Sequence, residues 1–113
     1  MKKYVEVTQK GEVTIATLLC PLIVDAEMNC DALRQQLLVL NDGNRKKIVI
    51  DFSRVEHVGK MLLFQVVYGK FTQAGISVRM SGMNDQADRA CKTCGFTKVW
   101  VRKLTLEEAL QDF

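Results

Sequence analysis

The pair Cys91 and Cys94 in "CKTC" is the sharpest chemical signal in the sequence. Two cysteines at that spacing suit a dithiol redox couple or half of a zinc site. A redox pair belongs at the start of a helix, where the dipole lowers the thiol pKa. Here Gly95 follows the pair and marks a helix end, where the dipole opposes a thiolate. Ala87, Cys91 and Cys94 continue one helical stripe, so both thiols read as small core hydrophobes. A zinc site would also need Cys20 and Cys30, which lack a matching spacing. No metal site is expected.

Three other places carry weaker signals. His57 is the only histidine, and no serine or cysteine nucleophile adjoins it, so a backbone or water contact is expected in place of general-base work. Gly59-Lys60 has the last glycine and lysine of a phosphate loop. The upstream glycine is missing, however, and Met61 stands where a metal-binding hydroxyl should be, so a tight turn is expected. Asp51 ends an apolar run and is expected to satisfy nearby backbone N–H groups. No catalytic residue and no cofactor is expected.

These residues converge on "VEHVGKMLLFQVV", residues 55–67, where a strand-like run gives way to a helix-like one. Such strand-to-helix junctions collect sites in parallel α/β proteins. Between Ser53 and Thr72 the only hydroxyl is the phenol of Tyr68. The junction therefore offers no aliphatic hydroxyl for covalent modification.

The elements that must position the junction follow from periodicity. "YVEVTQKGEVTIATL" reads as a hairpin turning at Gln9-Lys10-Gly11, with Val13, Ile15 and Thr17 on one face, and Pro21 stops its second strand. From Asp25 the spacing becomes helical, with Cys30, Leu33, Leu37 and Leu40 forming one stripe before Asn-Asp-Gly at 41–43. "KKIVIDF" is a continuous apolar run of the kind buried on both faces in a central parallel strand. A second helix over 60–74 is apolar nearly all round, from Met61 and Leu62 to Val66, Tyr68 and Phe71, so it is deeply buried or faces a partner. "ISVRM" is a strand, Asn84 caps a helix over "DQADRACKTC", "KVWVRK" is a final strand, and Thr105 with Glu108 forms a capping box for a terminal helix. The order β-β-α-β-α-β-α-β-α implies a mostly parallel sheet with an antiparallel edge hairpin, in a single domain spanning 1–113.

Composition sets the outer limits. A chain of 113 residues with 48% hydrophobic residues can bury its own core. A net charge of +3, from 16 basic and 13 acidic residues mixed along the chain, gives no footprint for nucleic acid. The longest apolar stretch, "VTIATLLCPLIV", is too short to cross a bilayer, and membrane insertion is not expected. "MKK" has the charge of a signal-peptide start, but Glu6, Lys10 and Glu12 interrupt the apolar region such a peptide needs. The cytoplasm is the expected location, with the four cysteines as reduced thiols.

From "EVTIATL" through "DAEMNCDALRQQL", "KKIVIDFSRVEHV", "QAGISVRM", "CGFTKVW" and "LTLEEAL", nearly the whole chain resembles STAS domains, the anti-sigma factor antagonists and cytoplasmic domains of sulfate transporters. The resemblance implies an α/β fold with a mixed, mostly parallel sheet of four or five strands and about four helices packed mainly on one side. In bacterial members the junction carries a motif such as Asp-Ser-Ser-Gly, in which a kinase that is also the anti-sigma factor phosphorylates one serine. Those four positions fall here on Gly59, Lys60, Met61 and Leu62, none of which accepts phosphate on oxygen. Counted back from Gly75, the helix is also short for that pattern. The expectation is a non-enzymatic regulatory module that binds an anti-sigma factor, a kinase-like ATPase or another signalling protein through His57, Val58, Gly59, Lys60, Met61 and Leu62, without phosphorylation. A module binding a nucleotide or lipid is the alternative, and the apolar second helix leaves homodimer formation open.

Overall fold

Ile48, Val49 and Ile50 are all fully buried, because β4 (Lys47–Asp51) is the middle strand of the sheet and has helices on both faces. The computed structural model describes residues 3–24, 30–93, 95, 101–103, 105–111 and 113, with 101–103 as backbone alone. Cys94, most of "CGFTKVW" and the first turn expected for the first helix lie outside the described residues.

The chain begins with the expected hairpin of β1 (Val5–Lys10) and β2 (Val13–Leu18), closed by a two-residue turn at Gly11-Glu12. Gly11 takes φ +60°, which the twist of a tight hairpin requires and which glycine supplies without a Cβ clash. The turn is thus centred slightly later than the sequence suggests. After Pro21 the chain resumes as a short strand, β3 (Leu22–Ile23), and α1 follows (Cys30–Leu38). Beyond β4 come β5 (His57–Val58), α2 (Leu62–Gln73), β6 (Ser77–Ser81), α3 (Asp85–Thr93), β7 (Val101–Lys103) and α4 (Leu106–Leu110).

Five strands form one sheet in the order β1-β2-β4-β6-β7, antiparallel between β1 and β2 and parallel elsewhere. Two-residue β3 and β5 pair in parallel as a separate ladder, Leu22 opposite His57 and Ile23 opposite Val58. That ladder was not expected. Two residues are too short to show a period, and the pairing depends on Pro21, whose carbonyl accepts from the N–H groups of Glu56 (2.7 Å) and His57 (3.1 Å). The proline ends β2 and then anchors β5.

The main core lies on one face of the sheet. Ala16, Leu18, Ile48, Ile50, Val78 and Met80 from the strands meet Leu33 and Leu37 of α1, Phe64, Val67 and Phe71 of α2, and Ala87 and Cys91 of α3. Cys30, Leu33, Leu37 and Leu40 all join this cluster, as their spacing predicts. Cys91 is fully buried, in keeping with its reading as a packing residue. The rings of Phe52 and Phe64 sit 5.2 Å apart at a tilt of 55°.

On the other face, Val13 and Val49 pack with Ala109, Leu106 and Leu110 of α4 and with Phe113. Val13 therefore lies on the face covered by α4, and strand alternation puts Ile15 on the same side. The larger core takes the other side of β2, which is buried along almost its whole length. Arg79 ties α4 down: its guanidinium donates to the carbonyls of Ala109 (3.0 Å) and Gln111 (2.6 Å) and lies 4.3 Å over the ring of Phe113.

Local caps agree with the sequence. Asn84 Oδ1 accepts from the N–H of Ala87 (2.9 Å) and opens α3, while Thr105 Oγ1 accepts from the N–H of Glu108 (3.1 Å) and opens α4.

Candidate functional site

The junction is held in shape by backbone and amide groups. Gly59 donates its N–H to the carbonyl of Ile23 (2.9 Å), continuing the β3–β5 pairing by one residue. On the opposite side, Val58 donates to Gln86 Oε1 and its carbonyl accepts from Gln86 Nε2, both at 2.8 Å. Asn84 Nδ2 reaches the carbonyl of Glu56 (2.8 Å). The loop is therefore bracketed by the 21–23 segment on one flank and the first turn of α3 on the other.

Gly59 is required here by a close approach. A Cβ built on it would lie 2.8 Å from Cγ1 of Val24, inside normal contact. Its neighbours alternate between core and solvent. Val58 and Met61 are buried, while His57, Gly59, Lys60 and Leu62 are exposed. Met61 occupies the N-cap of α2 in α-region backbone and offers no side-chain cap. Lys60 precedes it, so a cation stands where the helix dipole is already positive.

Residues 58–62 form one wall of a cleft of about 330 Å³, and Ala90 and Thr93 of α3 form the other. His57 does not line it; its backbone is paired with Leu22 in the small ladder. Thr93 brings a hydroxyl to the cleft, donating to the carbonyl of Arg89 (3.0 Å) one turn back in its own helix. Ala90, Thr93 and Gln86 were not expected at the site. They share one stripe of α3 at i, i+4 and i+7 from Gln86, and only the fold reveals that this stripe faces the junction.

Apolar side chains are exposed around the same corner. Leu62 is 58% exposed, Val66 one turn further along α2 is 45% exposed, and Leu22 beside His57 is 39% exposed. The inner face of α2, by contrast, is buried through Leu63, Phe64, Val67 and Phe71. The helix that reads as apolar all round thus has a core face and a solvent face.

The remaining chemical candidates take structural places. Asp51 is buried and its Oδ1 accepts from the N–H of Ser53 (3.0 Å), the local role expected of it. Among the described residues no three of His, Cys, Asp and Glu come together as a metal-binding group.

No protein-family model and no curated protein matches the sequence. Solved structures do match in shape. A Thermotoga maritima protein described as an anti-sigma factor antagonist superposes with a TM-score of 0.83 at 16% identity, over 96% of this chain and 92% of its own. A STAS-domain protein of Planctomyces limnophilus gives 0.79 at 18% identity, over 94% of each chain. An anti-sigma factor antagonist of Mycobacterium paratuberculosis gives 0.76 at 22%, over 94% of this chain and 89% of its own. The mixed five-stranded sheet, its hairpin edge and the helix layer over one face are the fold of STAS domains. This chain has that fold. Among the described residues no helix is long and apolar enough to cross a membrane.

Proposed function

We propose that this chain is a non-enzymatic regulatory module of the anti-sigma factor antagonist type, which docks a signalling protein at the β5–α2 junction. The observation that carries the reading is the corner itself. A rigidly tied loop presents Leu62, Val66 and Leu22 to solvent beside a cleft, and the described residues around it hold no nucleophile with a base. The solved structures of similar shape include anti-sigma factor antagonists, which favours an anti-sigma factor or kinase-like protein as the partner and the cytoplasm as the setting.

Control in this reading is by occupancy. Lys60 and Met61 stand where the family pattern has its serines, so a phosphate at the start of α2 has no oxygen to receive it. Incubation with a kinase-like partner and ATP is expected to leave the chain unlabelled; covalent phosphate on residues 53–62, or on Thr93 across the cleft, contradicts control by occupancy.

One observation favours a second reading, a module for a nucleotide or lipid: the cleft has room for part of a small molecule. Its volume of about 330 Å³ is at the lower end of clefts that enclose ligands, which run from roughly 300 to 1,000 Å³. Titration with nucleotides and fatty acids separates the readings. A saturable micromolar response supports the ligand, and its absence leaves the protein partner.

A further inference from the structure

The outer edge of β1 is open to solvent along most of its length. Among the described residues only β2 pairs with this strand, and Glu6 to Lys10 are all exposed. Leu19 donates its N–H to the carbonyl of Tyr4 (2.8 Å). Antiparallel pairing alternates, so Glu6, Thr8 and Lys10, counted by twos from Tyr4, also direct their backbone groups toward β2. Val5, Val7 and Gln9 direct theirs outward. Val5 bears out this phase, because its N–H donates away from the hairpin to Gln36 Oε1 of α1 (3.2 Å). Gln36 thereby closes the edge at Val5, and the edge stays open at Val7 and Gln9. The Gln9 side chain does not cover it. Its amide is turned back onto the hairpin, donating to the Gly11 carbonyl (3.1 Å) and accepting from Thr14 Oγ1 (2.8 Å). Val7 adds an apolar side chain that is 42% exposed.

A second copy joining this edge about a twofold axis must set outward residues against outward residues, which leaves registers centred on Val7, Thr8 or Gln9. Centring on Gln9 sets Glu6 against Glu12 of the second copy, two like charges. Centring on Val7 requires the Val5 N–H, which Gln36 already holds. Centring on Thr8 sets Glu6 against Lys10 at both ends. From this complementarity we infer that two copies of the chain join β1 to β1, antiparallel about Thr8, and so merge their sheets into one. Val7 and Gln9 of each copy then exchange backbone hydrogen bonds with Gln9 and Val7 of the other. Glu6, Thr8 and Lys10 fall at the intervening positions, where side chains on neighbouring strands approach most closely. A Thr8–Thr8 contact is thus flanked by Glu6–Lys10 ion pairs on the α4 side of the sheet. The interface is one short strand wide, so a dissociation constant in the micromolar range or weaker is expected. The inference is independent of docking at the junction, which uses β5 and α2.

The test is the mass of the purified full chain by sedimentation equilibrium, from micromolar to millimolar concentration. The natural chain is expected to reach a dimer. Glu6→Lys and Lys10→Glu each set like charges against one another at both ends, and each is expected to raise the dissociation constant about tenfold or more. Mixed together, these two variants regain opposite charges at both ends and are expected to pair about as tightly as the natural chain. A folding defect would not be repaired by mixing. Val7→Pro removes an outward N–H that the hairpin does not use, so it is expected to weaken the dimer while the chain keeps a cooperative thermal melt. A natural chain that stays monomeric to millimolar concentration overturns the proposal and leaves Glu6 and Lys10 as charges that guard a free edge. Single variants that fail to pair when mixed overturn the register centred on Thr8. A dimer that both single variants leave unchanged, or that Leu62→Glu alone dissolves, overturns the proposal in favour of a contact elsewhere.

Discussion

The side-chain amide of Gln86 satisfies both polar atoms of the Val58 backbone, accepting its N–H and donating to its carbonyl at 2.8 Å each. A glutamine on α3 thereby acts as a third strand beside β3 and β5, and the loop that carries the candidate site is fixed to a helix that forms its other wall. Buried Val58 has no water to replace that partner. Gln86→Met keeps the length of the side chain and removes both bonds, so it is expected to cost about 1–3 kcal/mol in urea unfolding and to speed exchange of the Val58 amide. An unchanged exchange rate for that amide contradicts the clamp.

The close approach at Gly59 makes a paired prediction. Gly59→Ala pushes a methyl toward Val24 and is expected to cost about 1–3 kcal/mol. In a Val24→Ala background the same change is expected to cost less, because the obstructing Cγ1 is gone. Equal costs in the two backgrounds, measured by chemical denaturation, would place the strain elsewhere.

Much of the fold was legible because its signals are local. The unbroken apolar run at 47–51 marks a strand covered on both sides, the three-and-four spacing from Cys30 to Leu40 marks a helix face, and Asn84 and Thr105 announce their caps. What the sequence concealed depends on contacts distant along the chain. The pairing of β3 with β5 is set by carbonyls at Pro21 and Ile23 receiving N–H groups more than thirty residues later. The Gln86 clamp has no local signature, since an exposed glutamine looks the same before it meets Val58. For the site, five of the six expected residues share the cleft and His57 stands outside it, while the α3 wall was unforeseen because helical spacing tells which residues share a face but not what that face meets.

Acid sensitivity is expected in the loop before β4. The N–H of Asn44, first, and then the guanidinium of Arg45 hold the Asp42 carboxyl below its ordinary value. A group depressed on folding adds stability above its unfolded pKa, near 3.8, and that contribution is lost as pH falls through the lower folded value. Stability of the natural chain should therefore decline below about pH 4 more steeply than that of Asp42→Asn. Equal slopes on the acid limb of a pH-dependent melting series count against this.

Lys60 carries a positive charge at the positive end of the α2 dipole, and Lys60→Glu reverses that charge. The variant is expected to weaken capture of a partner docked at the junction. A Lys60→Glu chain that keeps its fold and its partner removes Lys60 from the interface.

The most direct test of docking at the junction is a quantitative pull-down from source cells with the natural chain, Leu62→Glu, and Glu12→Lys in the distant hairpin turn. Leu62 is largely exposed, so a charge there disturbs the surface and not the core. A partner protein held by the natural chain and Glu12→Lys, and reduced about tenfold or more with Leu62→Glu, is the predicted result. A partner held equally by all three chains contradicts the account.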